Sequence, residues 1–455
     1  MAFIRSISGL RATIGNDLTP FVIAKYVSAL SQYAPEGDIV IGNDGRPSGK
    51  WIEMIAAGTL ASLGRTVIIT GVVPTPTVQL LVEQSGAAAG IAITASHNPD
   101  QWNGLKFINS DGVFFDIHEN QKFWELVDAI DEEKLSTSTS GCILYDLTSL
   151  SDHVEFVLKL SIINQVDFVN KLKNRNFKAV VDAVNCSGST VVPKLLDILG
   201  ADCIELYCDE SGIFPHTPEP LPENLGVLAE TVKIHNADIG IAVDPDSDRL
   251  VIVDEHGNHI GEEFTLALAV QSALHFNSIN NTDPKPKVVT NLSSSSLVDF
   301  IAAKYGATVY RSAVGEINVV KKMKETGALI GGEGSGGVIL PACHYGRDSL
   351  VGIALIIALI ADTNKSVSEL IAEYPVFKIL KSKQEFKGDL QHYFNKLSKA
   401  FPDAEINTDD GIRIDTQRGW VQVRASNTEP IIRIISESTD GDYASRLIKL
   451  AQELI

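Results

Sequence analysis

Cysteine is scarce and scattered in this chain of 455 residues. The five cysteines, Cys142, Cys186, Cys203, Cys208 and Cys343, form no CxxC and no even framework. That argues against a disulfide scaffold and against zinc, and it fits reduced thiols in the cytoplasm. Positive charge is also short, with 38 Lys and Arg against 57 Asp and Glu and a net charge of −19. Such a field repels nucleic acid and anionic lipid, so neither is an expected partner, and a bound anion must meet cations gathered locally. Long hydrophobic runs are missing: the longest, Leu350 to Ala361, falls well short of the roughly 20 residues that span a bilayer and reads as a buried helix. The first residues, MAFIRSISGLRATIG, lack the charged start and continuous apolar stretch of a secretory signal, which again predicts a cytoplasmic protein. Disorder-prone composition is absent too, since 44% of residues are hydrophobic and 21% charged, the balance of an ordered globular chain.

What is present is length and alternation. Short β-branched runs at Asp38 to Gly42, Val67 to Val73, Gly90 to Thr94, Ala179 to Val184, Asp238 to Val243 and Val288 to Thr290 alternate with amphipathic helical stretches. This predicts α/β units with largely parallel sheets. Leu250 to Ile260 reads as a strand, a Gly-Asn turn and a second strand, ahead of a helix over Phe264 to Phe276. Ser136 to Gly141 and Asn277 to Lys287 are rich in turn formers and predict domain boundaries nearby. After Tyr374 polar helices flank short strands at Gly411 to Asp415 and Trp420 to Arg424, an α+β pattern. The reading is four domains, three alike and one different, over 1–140, 150–262, 263–372 and 376–455.

Four clusters carry chemistry. In ITASHNPDQWNGLKF, residues 93 to 107, a strand ends at Thr94 and Ser96 follows, where ligands of open α/β sheets bind. Ser96 reads either as a helix cap or as a nucleophile, and His97 and Lys106 favour the second because an acting hydroxyl needs a base or cations beside it. In VDPDSDR, Asp244, Asp246 and Asp248 alternate after a strand and Arg249 follows. Three carboxylates this close repel one another unless a cation lies between them, and oxygen ligands suit Mg²⁺ or Ca²⁺. A calcium EF-hand loop is excluded because Arg249 occupies the required glycine and Leu250 to Val253 is an apolar strand. Mg²⁺ is favoured as an ion shared with a phosphate.

The third cluster, GGEGSGG at 331 to 337, formally contains GxGxxG, but VILP follows it in place of a helix, so dinucleotide binding is disfavoured. It reads as a mobile loop presenting Glu333 and Ser335 to hydroxyl groups. In the fourth, RASNTEP, Arg424, Ser426, Asn427 and Thr428 follow a strand, and a guanidinium, two hydroxyls and an amide can converge on one phosphate. Arg11, Arg46, Arg249, Arg311 and Arg347 lie in turn-rich segments, which predicts a cationic interior within an acidic protein.

Together and in this order, the four clusters resemble the α-D-phosphohexomutase family, which includes phosphoglucomutase, phosphomannomutase and phosphoglucosamine mutase. SGLR around Arg11, NDGRPSG at 43 to 49, PTPT at 74 to 77 and FPHTPEPLPENL at 214 to 225 add to the resemblance. It implies four domains around a central cleft, three mixed α/β domains and a C-terminal α+β domain, and transfer of a phosphoryl group between the 1- and 6-positions of a hexose phosphate through a bisphosphorylated intermediate. By the same resemblance Ser96 is the phosphoserine and, with Asp244, Asp246 and Asp248, the Mg²⁺ site. Arg11, His97, Lys106 and Arg249 serve catalysis, and Glu333, Ser335, Arg347, Arg424, Ser426, Asn427 and Thr428 hold the substrate. The domains become, in chain order, the phosphoserine, metal-binding, sugar-binding and phosphate-binding domains, with a hexose 1,6-bisphosphate as activator. The protein is expected as a monomer or homodimer.

One position departs from the family pattern. Many members read GExSGH, with a histidine as general acid or base, where this sequence has Gly337. Proton chemistry then rests on Lys106 or is shared with His344, which otherwise reads as a solvated loop residue. GEGxGG followed by GRD is similar to the branch usually labelled phosphoglucosamine mutase, while RASNTEP and TASHNP are similar to phosphomannomutase and phosphoglucomutase. The favoured substrate pair is glucosamine 6-phosphate and glucosamine 1-phosphate, with mannose or glucose phosphates as the alternative and a non-catalytic sugar-phosphate sensor as the reading from another class.

Overall fold

A computed structural model describes residues 3–131, 140–164, 167–425 and 431–455. Strands β1 (Phe3–Ser6), β2 (Gly9–Thr13), β3 (Ile39–Asn43), β4 (Val67–Val72), β5 (Ala89–Ile93), β6 (Trp102–Asn109) and β7 (Ile143–Tyr145) build a first sheet in the order β1-β2-β6-β5-β3-β4-β7. The second contains β8 (Lys178–Asp182), β9 (Asp202–Leu206), β10 (Ile239–Val243) and β11 (Leu250–Val253), ordered β11-β10-β8-β9. The third contains β12 (Lys287–Asn291), β13 (Thr308–Ser312), β14 (Ile330–Glu333) and β15 (Gly337–Ile339), ordered β13-β12-β14-β15. The last, from β16 (Lys378–Glu385), β17 (Glu405–Asn407), β18 (Ile412–Thr416), β19 (Gly419–Ala425) and β20 (Ile431–Ser438), is antiparallel throughout, in the order β16-β20-β19-β18-β17.

The first three units share one plan. In each, two strands run parallel beside a third, and a fourth turns back antiparallel on that third strand: β3, β4, β5 and β6 in the first unit, β8 to β11 in the second, β12 to β15 in the third. The sheets are therefore mixed: in each unit two of these three pairings are parallel, as expected, and the third is antiparallel. The returning strand follows a short connection that a helix crossover could not fit, which forces the antiparallel pairing.

Packing ties the middle of the chain together. The helix Ser349–Thr363 is buried along Ser349 to Ala361 and holds the apolar run read from the sequence. Apolar on every side, it cannot face water and lies in a core that joins the second and third units, alongside the helix Glu262–Asn280. The first and last units keep cores of their own. Asn277 to Lys287 does not separate domains: its first four residues finish the helix Glu262–Asn280, and the rest leads into β12. The second strand expected before that helix shrinks to a single bridge, Val253 to His259. Among the described residues no helix is long and apolar enough to cross a membrane.

Candidate active site

In each repeated unit the connection from the third strand to the fourth carries one of the clusters read from the sequence. Residues 94–101 join β5 to β6, 244–249 join β10 to β11, and 334–336 join β14 to β15. Each connection holds one residue with a left-handed backbone: Ser96 at φ 51°, Ser247 at φ 53° and Gly336 at φ 86°. For a residue with a Cβ such a conformation costs of order 1–3 kcal/mol, so the surroundings must impose it. At Ser96 they do. Thr94 Oγ1 accepts from the Ser96 amide at 2.8 Å. The buried Arg46 guanidinium donates to the Ser96 carbonyl, to those of Asn98 (2.8 Å), Pro99 (2.9 Å) and Trp102 (3.0 Å), and to Asp44 Oδ2 (2.9 Å). Arg46 thus organises the serine loop and is no free cation. Arg311 does the same for the loop after β12, donating to the carbonyls of Asn291 and Ser294 at 3.0 Å each.

Ser96 is buried, and its Oγ donates to Asp244 Oδ2 at 2.8 Å. His97 Nδ1 lies 3.3 Å from the same Oγ. Burial, then Arg249 and Arg11, push His97 down to about 2, so it is neutral. Lys106, buried on β6, donates to Asp246 Oδ2 at 2.6 Å and Asp248 Oδ2 at 3.0 Å. Burial opposes its charge, but Asp246 and Asp248 prevail and raise its pKa. It stands as an ammonium and not as the resting base that the missing histidine at Gly337 suggested. Thr75 of the PTPT segment donates its amide to the Asp246 carbonyl (2.9 Å) and its Oγ1 to Asp246 Oδ2 (2.8 Å), locking the acidic loop to the first unit.

Asp244, Asp246 and Asp248 are fully buried, and one oxygen from each lies within 4.8 Å of the others. Burial, then Asp248 and Asp246, drive the Asp244 pKa well above the carboxylate range. Burial acts the same way on Asp248 but is outweighed by Arg347, Lys106 and Arg249, so its pKa falls. Asp246 Oδ1 and Asp248 Oδ1 are buried without a hydrogen-bond partner. Orphaned carboxylate oxygens gathered with a third buried carboxyl are the donor set of an oxygen-seeking divalent cation, and the residues fit one.

Beside the acidic loop lies a cleft of about 660 Å³. The first unit contributes Arg11, His97 and Lys106, the second Arg249, the third Glu333, Ser335 and Arg347, and the last Lys381, Lys383, Arg424 and Arg433. Arg11 Nη1 donates to Asn98 Oδ1 at 2.9 Å. The Nε atoms of Arg11, Arg249, Arg424 and Arg433 have no hydrogen-bond partner among the described residues, so guanidinium donors remain for an anion. Ser426, Asn427 and Thr428 lie outside the described residues. The positively charged groups on β16 and Arg433 were missed from sequence, because an alternating Lys on an exposed strand reads as ordinary surface.

Three expectations change. Glu333 sits on β14, 6% exposed, and not on a mobile loop; it accepts from Asn291 Nδ2 (2.9 Å), the Gly315 amide (2.9 Å) and Arg347 Nη1 (3.0 Å). Arg347 lines the cleft, yet it also donates to Asp248 Oδ2 (2.6 Å) and Glu316 Oε2 (3.0 Å), bridging the acidic loop to the third unit. Its side chain explains Gly337: a Cβ there would lie 2.2 Å from Arg347 Cδ, so the space a larger residue needs is filled. His344 is neither solvated nor among the cleft-lining residues; it is 1% exposed and bonded to Asp348.

Four family models match consecutive stretches: phosphoglucomutase/phosphomannomutase alpha/beta/alpha domain I over residues 4–134, domain II over 152–257, domain III over 262–377 and the C-terminal domain over 383–451. A probable phosphoglucosamine mutase from Methanopyrus kandleri is 34% identical, covering 97% of this chain and 95% of its own. A phosphoglucomutase/phosphomannomutase from Thermococcus kodakarensis is 34% identical over 98% of this chain and 97% of its own. Among solved structures, a phosphoglucomutase/phosphomannomutase family protein from Burkholderia thailandensis is 26% identical and superposes with a TM-score of 0.84, covering 99% of this chain and 97% of that one. With all four domains matched in order and relatives a third identical from end to end, the chain belongs to the phosphoglucomutase/phosphomannomutase family of α-D-phosphohexomutases.

Proposed function

We propose that the protein is a phosphoglucosamine mutase, interconverting glucosamine 6-phosphate and glucosamine 1-phosphate through a phosphorylated Ser96. The observation that carries this reading is the contact of Ser96 Oγ with Asp244 at 2.8 Å, beside His97 and Lys106, which line a cleft to which all four units contribute. The first domain then presents the phosphoserine, the second the metal ligands, the third the sugar contacts and the fourth the phosphate clamp.

Asp244, Asp246 and Asp248, with an oxygen on phosphorylated Ser96, would hold Mg²⁺. When bound, Mg²⁺ supplies positive charge at the phosphoryl oxygens. The chain's own residues do the rest. Arg11, Lys106 and Arg249 offset the nearly two negative charges of a phosphoserine and the charge that grows during transfer. Neutral His97 lies within hydrogen-bond reach of Oγ and helps hold the serine side chain beside Asp244. Glu333 and Ser335 meet sugar hydroxyls, and Arg424, with Ser426, Asn427 and Thr428 beyond it in sequence, holds the phosphate that is not reacting. Because that clamp belongs to a different domain from the serine, a bisphosphate can turn end for end and present its other phosphate to Ser96. A hexose 1,6-bisphosphate primes the enzyme by the same chemistry. Glucosamine is favoured over glucose and mannose because Glu219, Glu262 and Glu333 line the cleft and suit an ammonium at the sugar's second carbon.

The test is turnover of glucosamine 1-phosphate, glucose 1-phosphate and mannose 1-phosphate side by side with Mg²⁺ and the matching bisphosphate, with Ser96→Ala as control. The glucosamine sugar is expected to dominate by kcat/KM, and Ser96→Ala to lose that activity and the extra phosphate seen by intact-mass measurement. Preference for mannose or glucose phosphate would overturn the sugar; full activity in Ser96→Ala would overturn the mechanism.

A further inference from the structure

A second group of ligating side chains lies apart from the cleft lining. His153 stands on the helix Ser149–Leu158, and Cys343, His344 and Asp348 stand between β15 and the helix Ser349–Thr363. They are 0%, 4%, 1% and 1% exposed, and one ligand atom from each lies within 4.8 Å of the others. His153 Nε2 and His344 Nε2 both approach the same oxygen, Asp348 Oδ2, at 2.8 and 3.1 Å, with their rings 81° apart. As hydrogen bonds alone this arrangement is incomplete. Asp348 Oδ2 can accept from both imidazoles, yet His344 Nδ1 is left buried without a partner and the Cys343 thiol is buried beside the same groups.

We propose that His153, Cys343, His344 and Asp348 hold a structural Zn²⁺ ion. Two imidazole nitrogens, one thiolate and one carboxylate make a four-coordinate set of borderline softness, which suits Zn²⁺ and leaves no position open to water. Bonds of about 2.0 to 2.3 Å at tetrahedral angles set ligand atoms roughly 3.3 to 3.8 Å apart. The observed separations from Asp348 are shorter by only tenths of an ångström, so small retreats of the rings admit the ion. The outer contacts agree. His153 Nδ1 lies 2.8 Å from Thr77 Oγ1, so Nδ1–H donating there leaves the Nε2 lone pair free for metal. Asp348 Oδ1 accepts from the Leu350 amide at 2.8 Å, which fixes the carboxylate and leaves Oδ2 for the ion.

The site joins three parts of the chain: Thr77 from the first unit, His153 from the helix that precedes the second sheet, and the 343–348 segment of the third. The next residue back from Asp348 is Arg347, which bridges to Asp248, so an ion here steadies the wall of the active cleft. No CxxC signals it, because His153 and Asp348 stand 195 residues apart.

The full-length, untagged protein, dialysed against Mg²⁺ buffer, is assayed for metal by mass spectrometry and for Tm before and after a strong chelator. About one Zn²⁺ per chain is expected, with a Tm that falls on stripping and recovers on adding Zn²⁺. Substituting Co²⁺ is expected to give a thiolate charge-transfer band that Cys343→Ser abolishes. Cys343→Ser, nearly isosteric, should still fold but lose stoichiometric zinc, whereas Asp246→Asn should keep it. The proposal is overturned if wild type takes up no zinc and its Tm ignores added Zn²⁺, or if zinc is lost in Asp246→Asn and retained in Cys343→Ser.

Discussion

Replacing Lys106 by methionine tests the charge balance at the centre of the site. The ammonium lies 2.6 Å from Asp246 and 3.0 Å from Asp248. At an effective dielectric of about 20, each contact amounts to about 6 kcal/mol of attraction, most of it cancelled by the cost of stripping water from a buried ammonium. The net cost of removal depends on what remains. Asp248 keeps Arg347 at 2.6 Å, but Asp246 keeps only the Thr75 hydroxyl at 2.8 Å. One uncompensated buried carboxylate is left, so the expected destabilisation is about 3 kcal/mol, the low end for a broken buried pair. A chain of four domains need not unfold in one step, so the measurement is the shift of the first urea transition, in EDTA and in Mg²⁺. Mg²⁺ should bind the more negative loop more tightly and narrow the stability gap, while kcat stays down by about 10²- to 10³-fold, as for loss of one preorganised charge donor. A merely structural lysine would not separate the two readouts. Wild-type kcat in Lys106→Met, or weakened Mg²⁺ binding, would refute the reasoning.

Arg46→Lys keeps the charge but not the fork that reaches four carbonyls, so kcat should fall at least tenfold with KM little changed, checked by steady-state kinetics. Gly337→His should displace Arg347 from Asp248, Glu316 and Glu333 and lower Tm without restoring a general base; a faster enzyme would contradict the packing described. Burial raises Glu263 from 4.5 to about 7, so the folded state holds a proton that the unfolded chain has released across that interval. The folded state is therefore favoured at and below the lower value and loses that contribution as pH rises to about 7; Glu263→Gln should flatten this segment of the urea-midpoint profile.

How far the sequence reaches can be seen at particular residues. The buried helix Ser349–Thr363 was legible because twelve apolar residues in a row permit nothing else, and the acidic run because three like charges in five positions demand a counter-ion. The mixed sheets were not legible: a β-branched run reports burial and not direction, and only the short hairpin connections force the fourth strand of each unit to return. The Asn277–Lys287 segment misled for a similar reason, since its polar residues follow a helix whose buried face continues to Asn277.

Arg46 and His344 divide in the same way. Both stand in turn-rich segments that suggest cations or bases in the cleft, and both are turned inward, Arg46 to hold the serine loop and His344 to Asp348. By itself, the sequence determined which chemical groups are available and their order along the chain, because side-chain chemistry and local apolar patterning are local properties. Only the tertiary structure decided which of those groups meet. Ser96 reaches Asp244 and Lys106 reaches Asp246 because the repeated strand plan brings the first and second units together at a common cleft, and His153 reaches Asp348 because the helix Ser149–Leu158 packs against the helix Ser349–Thr363. Contacts between residues that distant depend on packing, and no local spacing encodes them.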